Sequence, residues 1–136
     1  MKKVYRSVFW ILGDQLNSNH SWFENTDDTR LFVIAELKQE ASYCHHHVQK
    51  VAAFFASMKT FAAALRNSGH HVLHLTLDET VGFEELQNLI AHTMSKFSAN
   101  QFNYQRPDEY RLLMDMRSLS GQMNFKVEEF DTEHFL

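Results

Sequence analysis

Ser7-Val8-Phe9-Trp10-Ile11-Leu12 is an unbroken apolar run closed by Gly13-Asp14, the pattern of a strand buried on both faces of a sheet. It is predicted to be the first and central strand. Leu31-Phe32-Val33-Ile34-Ala35 repeats the pattern after a polar stretch from Asn17 to Arg30, whose Asn-Ser-Asn and Asn-Thr-Asp-Asp clusters read as loop, with Trp22 and Phe23 pinning it to the body. From His46 to Ser68 the apolar positions Val48, Val51, Ala52, Phe55, Met58, Ala62 and Leu65 recur three or four apart, which lines one face of a long helix. Phe54 and Phe61 widen that face, and Asn67-Ser68-Gly69 supplies the stop.

Val72-Leu73-His74-Leu75 reads as a third strand and Phe83 to Phe97 as the next helix. Gln101-Phe102-Asn103-Tyr104 is a weak fourth strand, and Arg106-Pro107 turns into a helix from about Asp108. Asn124 to Phe130, after a break at Ser120-Gly121, is the fifth strand. Strands alternating with helices need crossover connections, so neighbouring strands run parallel. The expected fold is a doubly wound, Rossmann-like α/β domain with a five-stranded, mostly parallel sheet and helices on both faces.

The 136 residues fit one domain, in which folding buries roughly two-thirds of the extended surface. With 44% hydrophobic and 22% charged residues the chain has an ordinary globular composition, and its apolar runs are too short to cross a bilayer. Met1-Lys2-Lys3 is basic, but Arg6 interrupts the apolar stretch behind it and no small-residue cleavage site follows, so a cytoplasmic protein is expected. A single cysteine, Cys44, excludes an internal disulfide and a thiolate-built cluster within this chain. The formal charge of −4 gives no long-range attraction to phosphate backbones.

Doubly wound sheets bind ligands outside the carboxyl ends of their strands. That rule selects Gly13 to Asn17, Glu36 to His47, Asp78 to Gly82, and Arg106 to Arg111. Gly13-Asp14-Gln15-Leu16 offers close backbone approach, a carboxylate acceptor and an amide that donates and accepts, a combination suited to the edge of a heterocycle; a plain glycine turn with an Asp cap is the structural alternative. Glu36, Glu40, Tyr43 and His45 to His47 crowd the second loop, where Glu40 suits helix capping and Glu36 is the second contact candidate. Tyr43 suits stacking on an aromatic ligand or covering the core. Three consecutive histidines do not make a metal site, because neighbours on a helix point about 100° apart. Neither Gly-x-Gly-x-x-Gly nor a P-loop nor a Gly-x-Ser-x-Gly elbow occurs, and Cys44 beside His45 is adjacency alone, so no catalytic residue is assigned.

Ile11-Leu12-Gly13-Asp14-Gln15-Leu16, Glu40-Ala41-Ser42-Tyr43 running into His46-His47, Ser57-Met58-Lys59-x-Phe61-Ala62, Pro107-x-Glu109-Tyr110-Arg111 and Asp131-x-x-x-Phe135-Leu136 occur in that order along the chain. Together they resemble the amino-terminal domain of the deoxyribodipyrimidine photolyase-related proteins, the bacterial iron-sulfur cryptochromes and (6-4) photolyases. The resemblance covers the whole chain. It departs at Val48 and Gln49, where lysines are often found soon after the histidine pair, and at Arg106, where an acidic residue often precedes the proline.

The resemblance implies an antenna domain that holds 6,7-dimethyl-8-ribityllumazine for a light-driven, flavin-dependent photolyase or blue-light receptor. FAD, a [4Fe-4S] cluster and the site for UV-damaged DNA are implied only in a separate carboxy-terminal helical domain, the expected partner of this one. The apolar pair Phe135-Leu136 then looks like a cut at a domain boundary. Carried over residue by residue, the lumazine contacts are Gly13, Asp14, Gln15 and Leu16 from the first loop and Glu36, Tyr43 and His46 from the second. A freestanding, flavodoxin-like nucleotide-binding or interaction module without light chemistry is the alternative expectation.

Overall fold

The computed structural model describes residues 4–38 and 48–133. Among these, five strands form one sheet: β1 (Ser7–Ile11), β2 (Arg30–Ala35), β3 (Val72–Leu75), β4 (Gln101–Gln105) and β5 (Lys126–Phe130). Four helices accompany them: α1 (Val48–Asn67), α2 (Leu77–Thr80), α3 (Leu86–Lys96) and α4 (Tyr110–Gln122). The sheet order is β3-β2-β1-β4-β5 and all four pairings are parallel. The first apolar run therefore lies at the centre, as its two-sided burial requires, and the expected doubly wound architecture is the one observed.

Alternation along the strands divides the core in two. Val8 and Trp10 of β1, Leu31, Val33 and Ala35 of β2, and Phe102 and Tyr104 of β4 pack with Leu89, Ile90 and Met94 of α3 and Leu112, Met116 and Leu119 of α4. Phe9, Ile11, Phe32 and Ile34 point the other way, onto Met58, Ala62 and Leu65 of α1 and onto Trp22. Trp22 sits in a 3-10 turn, Ser21–Phe23, and with the half-buried Phe23 it anchors the long β1–β2 loop as expected. Trp10, Val33, Met58, Ile90 and Met116 have no exposed surface. At roughly 25 cal/mol per Å² of apolar area, residues so placed dominate the driving force for folding.

The ends of the elements follow from local chemistry. Helix α1 stops where Gly69 takes φ +98°; the Gly69 N–H donates to Arg66 O at 3.0 Å and the His70 N–H to Leu65 O at 3.1 Å, a Schellman closure that favours glycine. Three expectations need adjusting. The helix expected over Phe83 to Phe97 begins only at Leu86, and the separate turn of α2 precedes it, held by a capping box between Thr76 and Glu79. Strand β4, expected to be weak, is an inner strand. Its polar Asn103 is fully buried and donates its amide sideways to Val8 O at 3.4 Å. The break expected at Ser120-Gly121 falls inside α4, which continues to Gln122. Among the described residues, no helix is long and apolar enough to cross a membrane.

Candidate ligand site at the carboxyl edge of the sheet

The chain leaves β1 through Leu12 and turns at Gly13-Asp14. Because β1 pairs with β2 on one side and β4 on the other, this loop stands where the strand order reverses, the preferred ligand position in such sheets. Gly13 is required here by its own protein: a Cβ built on it would run into the Phe54 ring of α1 and touch Met58 Sδ at 3.0 Å. The close approach that glycine permits is thus to a helix. Asp14 lies exposed at the tip and Leu16, half-buried, packs into the α1-side layer.

Gln15 is only 2% exposed and its amide is engaged at both ends. Its Oε1 accepts the Leu12 N–H at 3.1 Å, while its Nε2 donates to Gln105 O at 3.1 Å and Arg106 O at 3.3 Å. The side chain is a strut between the carboxyl ends of β1 and β4. It fixes the loop and satisfies buried backbone groups that would otherwise be costly.

Glu36 leaves the same edge of the sheet, one strand over, but turns to β3 and α2. One carboxylate oxygen accepts the Leu77 N–H at 3.0 Å and the other lies 2.9 Å from His74 Nε2. The Glu36 carbonyl accepts the Thr80 hydroxyl at 2.6 Å. Asp14 and Glu36 therefore share an edge, as expected of neighbouring strands, while both carboxylate oxygens of Glu36 are occupied within the fold. Tyr43 and His46 lie outside the described residues, as do Cys44 and the rest of the histidine run.

Two buried polar residues at this edge were not singled out by sequence reasoning. His20 is 1% exposed; its Nδ1 accepts the Trp22 N–H at 3.1 Å, so Nε2 carries the proton donated to Asp131 O at 2.8 Å. Ser21 adds two hydrogen bonds to the Glu133 carboxylate, and together these contacts stitch the first loop to the chain leaving β5. Gln105, the last residue of β4, is 1% exposed, and both its Nε2 and its Oε1 lack a hydrogen-bond partner. It faces the α1 side, since Phe102 and Tyr104 alternate to the other, and it pairs in register with Phe130 of that layer. The indole nitrogens of Trp10 and Trp22 and Nδ1 of His70 are also unpaired. Gln105 differs from them in presenting an orphaned donor together with an orphaned acceptor, at the point where the strand order reverses. No periodicity marks such a residue, because its burial depends on the loop folded above it.

Residues 9–136 match the family model described as deoxyribodipyrimidine photo-lyase-related protein. The chain is 27% identical over 127 residues to a (6-4) photolyase of Agrobacterium fabrum, covering 93% of this chain and 25% of that protein. In fold it is similar to a bacterial class III photolyase from Agrobacterium tumefaciens, with a TM-score of 0.59 and 12% identity over 95% of this chain and 26% of that one. The chain thus spans about a quarter of the length of these relatives.

Proposed function

Because the chain belongs to the deoxyribodipyrimidine photo-lyase-related protein family, we propose that it is the chromophore-holding antenna domain of a light-driven, flavin-dependent photolyase or cryptochrome. Its ligand on this reading is 6,7-dimethyl-8-ribityllumazine, a flat bicycle whose dione edge carries carbonyl oxygens and a ring N–H. When bound, such a group absorbs light and passes the excitation to a flavin. FAD, the [4Fe-4S] cluster and damaged DNA belong, on the same reading, to a helical domain that accounts for the greater length of the relatives.

The family match over residues 9–136 carries this reading, and the unpaired Gln105 amide at the carboxyl edge supports it. A buried donor and acceptor left without partners cost about 1–3 kcal/mol each, and native folds rarely keep them without cause. A ring edge that both donates and accepts complements that amide. Beside it Gln15 holds the first loop against β4 and Gly13 lets α1 close on that loop; Asp14 and Leu16 belong to the same loop and enter the site through the family resemblance. Glu36 acts by fixing the second strand end. Tyr43 and His46 are carried by the family resemblance alone.

The test is a titration of the folded chain with the lumazine, followed by absorbance and fluorescence, in the parent and in Gln105→Met. Methionine keeps the volume and removes both orphaned atoms, so stability should hold or rise, whereas affinity should fall about tenfold. Unchanged affinity in Gln105→Met, or no saturable spectral change in the parent, would sink the assignment. Uptake of a plain nucleotide in place of the lumazine would point to the nucleotide-binding module.

A further inference from the structure

On the opposite face of the sheet the same edge carries a second niche, a cavity of about 530 Å³ between α4, α3 and the end of β2. Its volume falls in the range that holds a small organic ligand. Leu37, Leu86, Leu89 and Leu112, each 2–3% exposed, form an apolar floor. Val81, 54% exposed, leaves apolar surface uncovered at the mouth.

The polar lining is lopsided. Glu84, Glu85, Glu109 and Asp115 contribute four carboxylates, against two cations, Lys38 and Arg111. Arg111 is already drawn to Glu109, with Nε 3.8 Å from Oε1, and the other Glu109 oxygen accepts the Leu112 N–H at 2.7 Å as the cap of α4. The carboxylates of Glu84, Glu85, Glu109 and Asp115 outnumber the two cations, and Asp115 also takes a hydrogen bond from Gln87. Asp115 is half-buried beside the apolar floor, where desolvation, the largest cause, and the charge of Glu109 raise its pKa against a hydrogen bond from Gln87 and the charge of Arg111. A cation arriving there relieves both penalties, while an anionic or phosphorylated ligand would add to the repulsion.

We infer that this cavity is a binding site for a compact organic cation, an apolar ring or chain bearing an amine or amidine, distinct from the chromophore niche on the α1 face. The apolar body rests on the leucine floor, and the charged head meets Asp115 and the glutamates of the α2–α3 turn. An amidinium and a carboxylate pair through two parallel N–H···O bonds, the strongest arrangement available to this donor set.

Benzamidine, neutral benzamide and anionic benzoate share one shape and separate the charge term from the apolar term. Titrated into the chain and followed by leucine methyl NMR, benzamidine should bind saturably, shift Leu86, Leu89 and Leu112, and exceed benzamide by about tenfold, or ~1.4 kcal/mol; benzoate should be weakest. Asp115→Asn should erase most of the preference for the cation while leaving benzamide unchanged. Equal binding of all three, shifts confined to other residues, or an unaltered preference in Asp115→Asn would overturn the inference. The ranking of the three probes on the parent chain decides the matter even where the variant fails to fold. Mutual displacement of benzamidine and the lumazine would overturn the claim of a distinct site; absence of lumazine binding would sink the antenna reading and leave this one standing.

Discussion

Gly13, Gln15, Glu36 and Gln105 show how residue type and residue role separate. All four stand at the carboxyl edge, where ligand chemistry is expected, yet three are committed to the fold. Gly13 makes room for Phe54, Gln15 ties β1 to β4, and Glu36 ties β2 to β3 and α2. The sequence identified the first three by position, because glycine, carboxylate and amide after an apolar run are conspicuous. It missed Gln105 and His20 because a polar residue in a strand or loop reads as exposed until a distant segment covers it. Replacing Gly13 by alanine should destabilise the chain by about 1–3 kcal/mol, the usual cost of overpacking a filled interior. Urea denaturation of Gly13→Ala with and without Phe54→Leu checks this: the smaller ring neighbour should recover part of the loss, and additive effects would show that the two do not meet.

At the scale of elements, one carboxylate of β5 ties that edge strand to both α4 and β4. Arg117 contacts both oxygens of Glu129, at 3.0 and 3.2 Å, and the Tyr104 hydroxyl donates to the same carboxylate at 2.7 Å. The Arg117 hydrogen bond, the largest cause, and the Tyr104 hydrogen bond hold Glu129 below its ordinary 4.5 against opposing desolvation. Burial first, and the link to Glu129 second, push the Tyr104 phenol above its ordinary 10.0. A lowered carboxylate gives stability that is present above its unfolded value and is lost as pH falls through the folded one. A raised phenol gives stability that is present below its unfolded value and is lost as pH rises toward the folded one. Urea midpoints should thus decline below about pH 5 and above about pH 10. Glu129→Gln should flatten the acid limb and Tyr104→Phe the alkaline limb; curves unchanged from the parent would show that this tie does not control either.

For the whole molecule, fold class was readable because it depends on period. Two continuous apolar runs, three shorter strand signals between turn residues and the three- and four-residue spacing of α1 suffice for a parallel sheet with helices on both faces. The single turn of α2 escaped because four residues are too few to show a period, although Thr76 and Glu79 stand at capping-box spacing. Strand β4 read as weak because a central strand is expected to be wholly apolar, and here hydrogen bonding to Val8 O and cover by the first loop offset its polar residues. What no pattern of this kind can reveal is which face of the carboxyl edge each loop falls toward, since that depends on packing between distant segments.

The chain has two tryptophans, and the sheet separates them: Trp10 is sealed in the α3–α4 layer and Trp22 in the α1 layer. Each layer therefore carries its own emitter, shielded from water. A light-absorbing guest held on the α1 side should quench Trp22 before Trp10. The emission remaining in Trp10→Phe and Trp22→Phe then tells from which side of the sheet the excitation is being drawn.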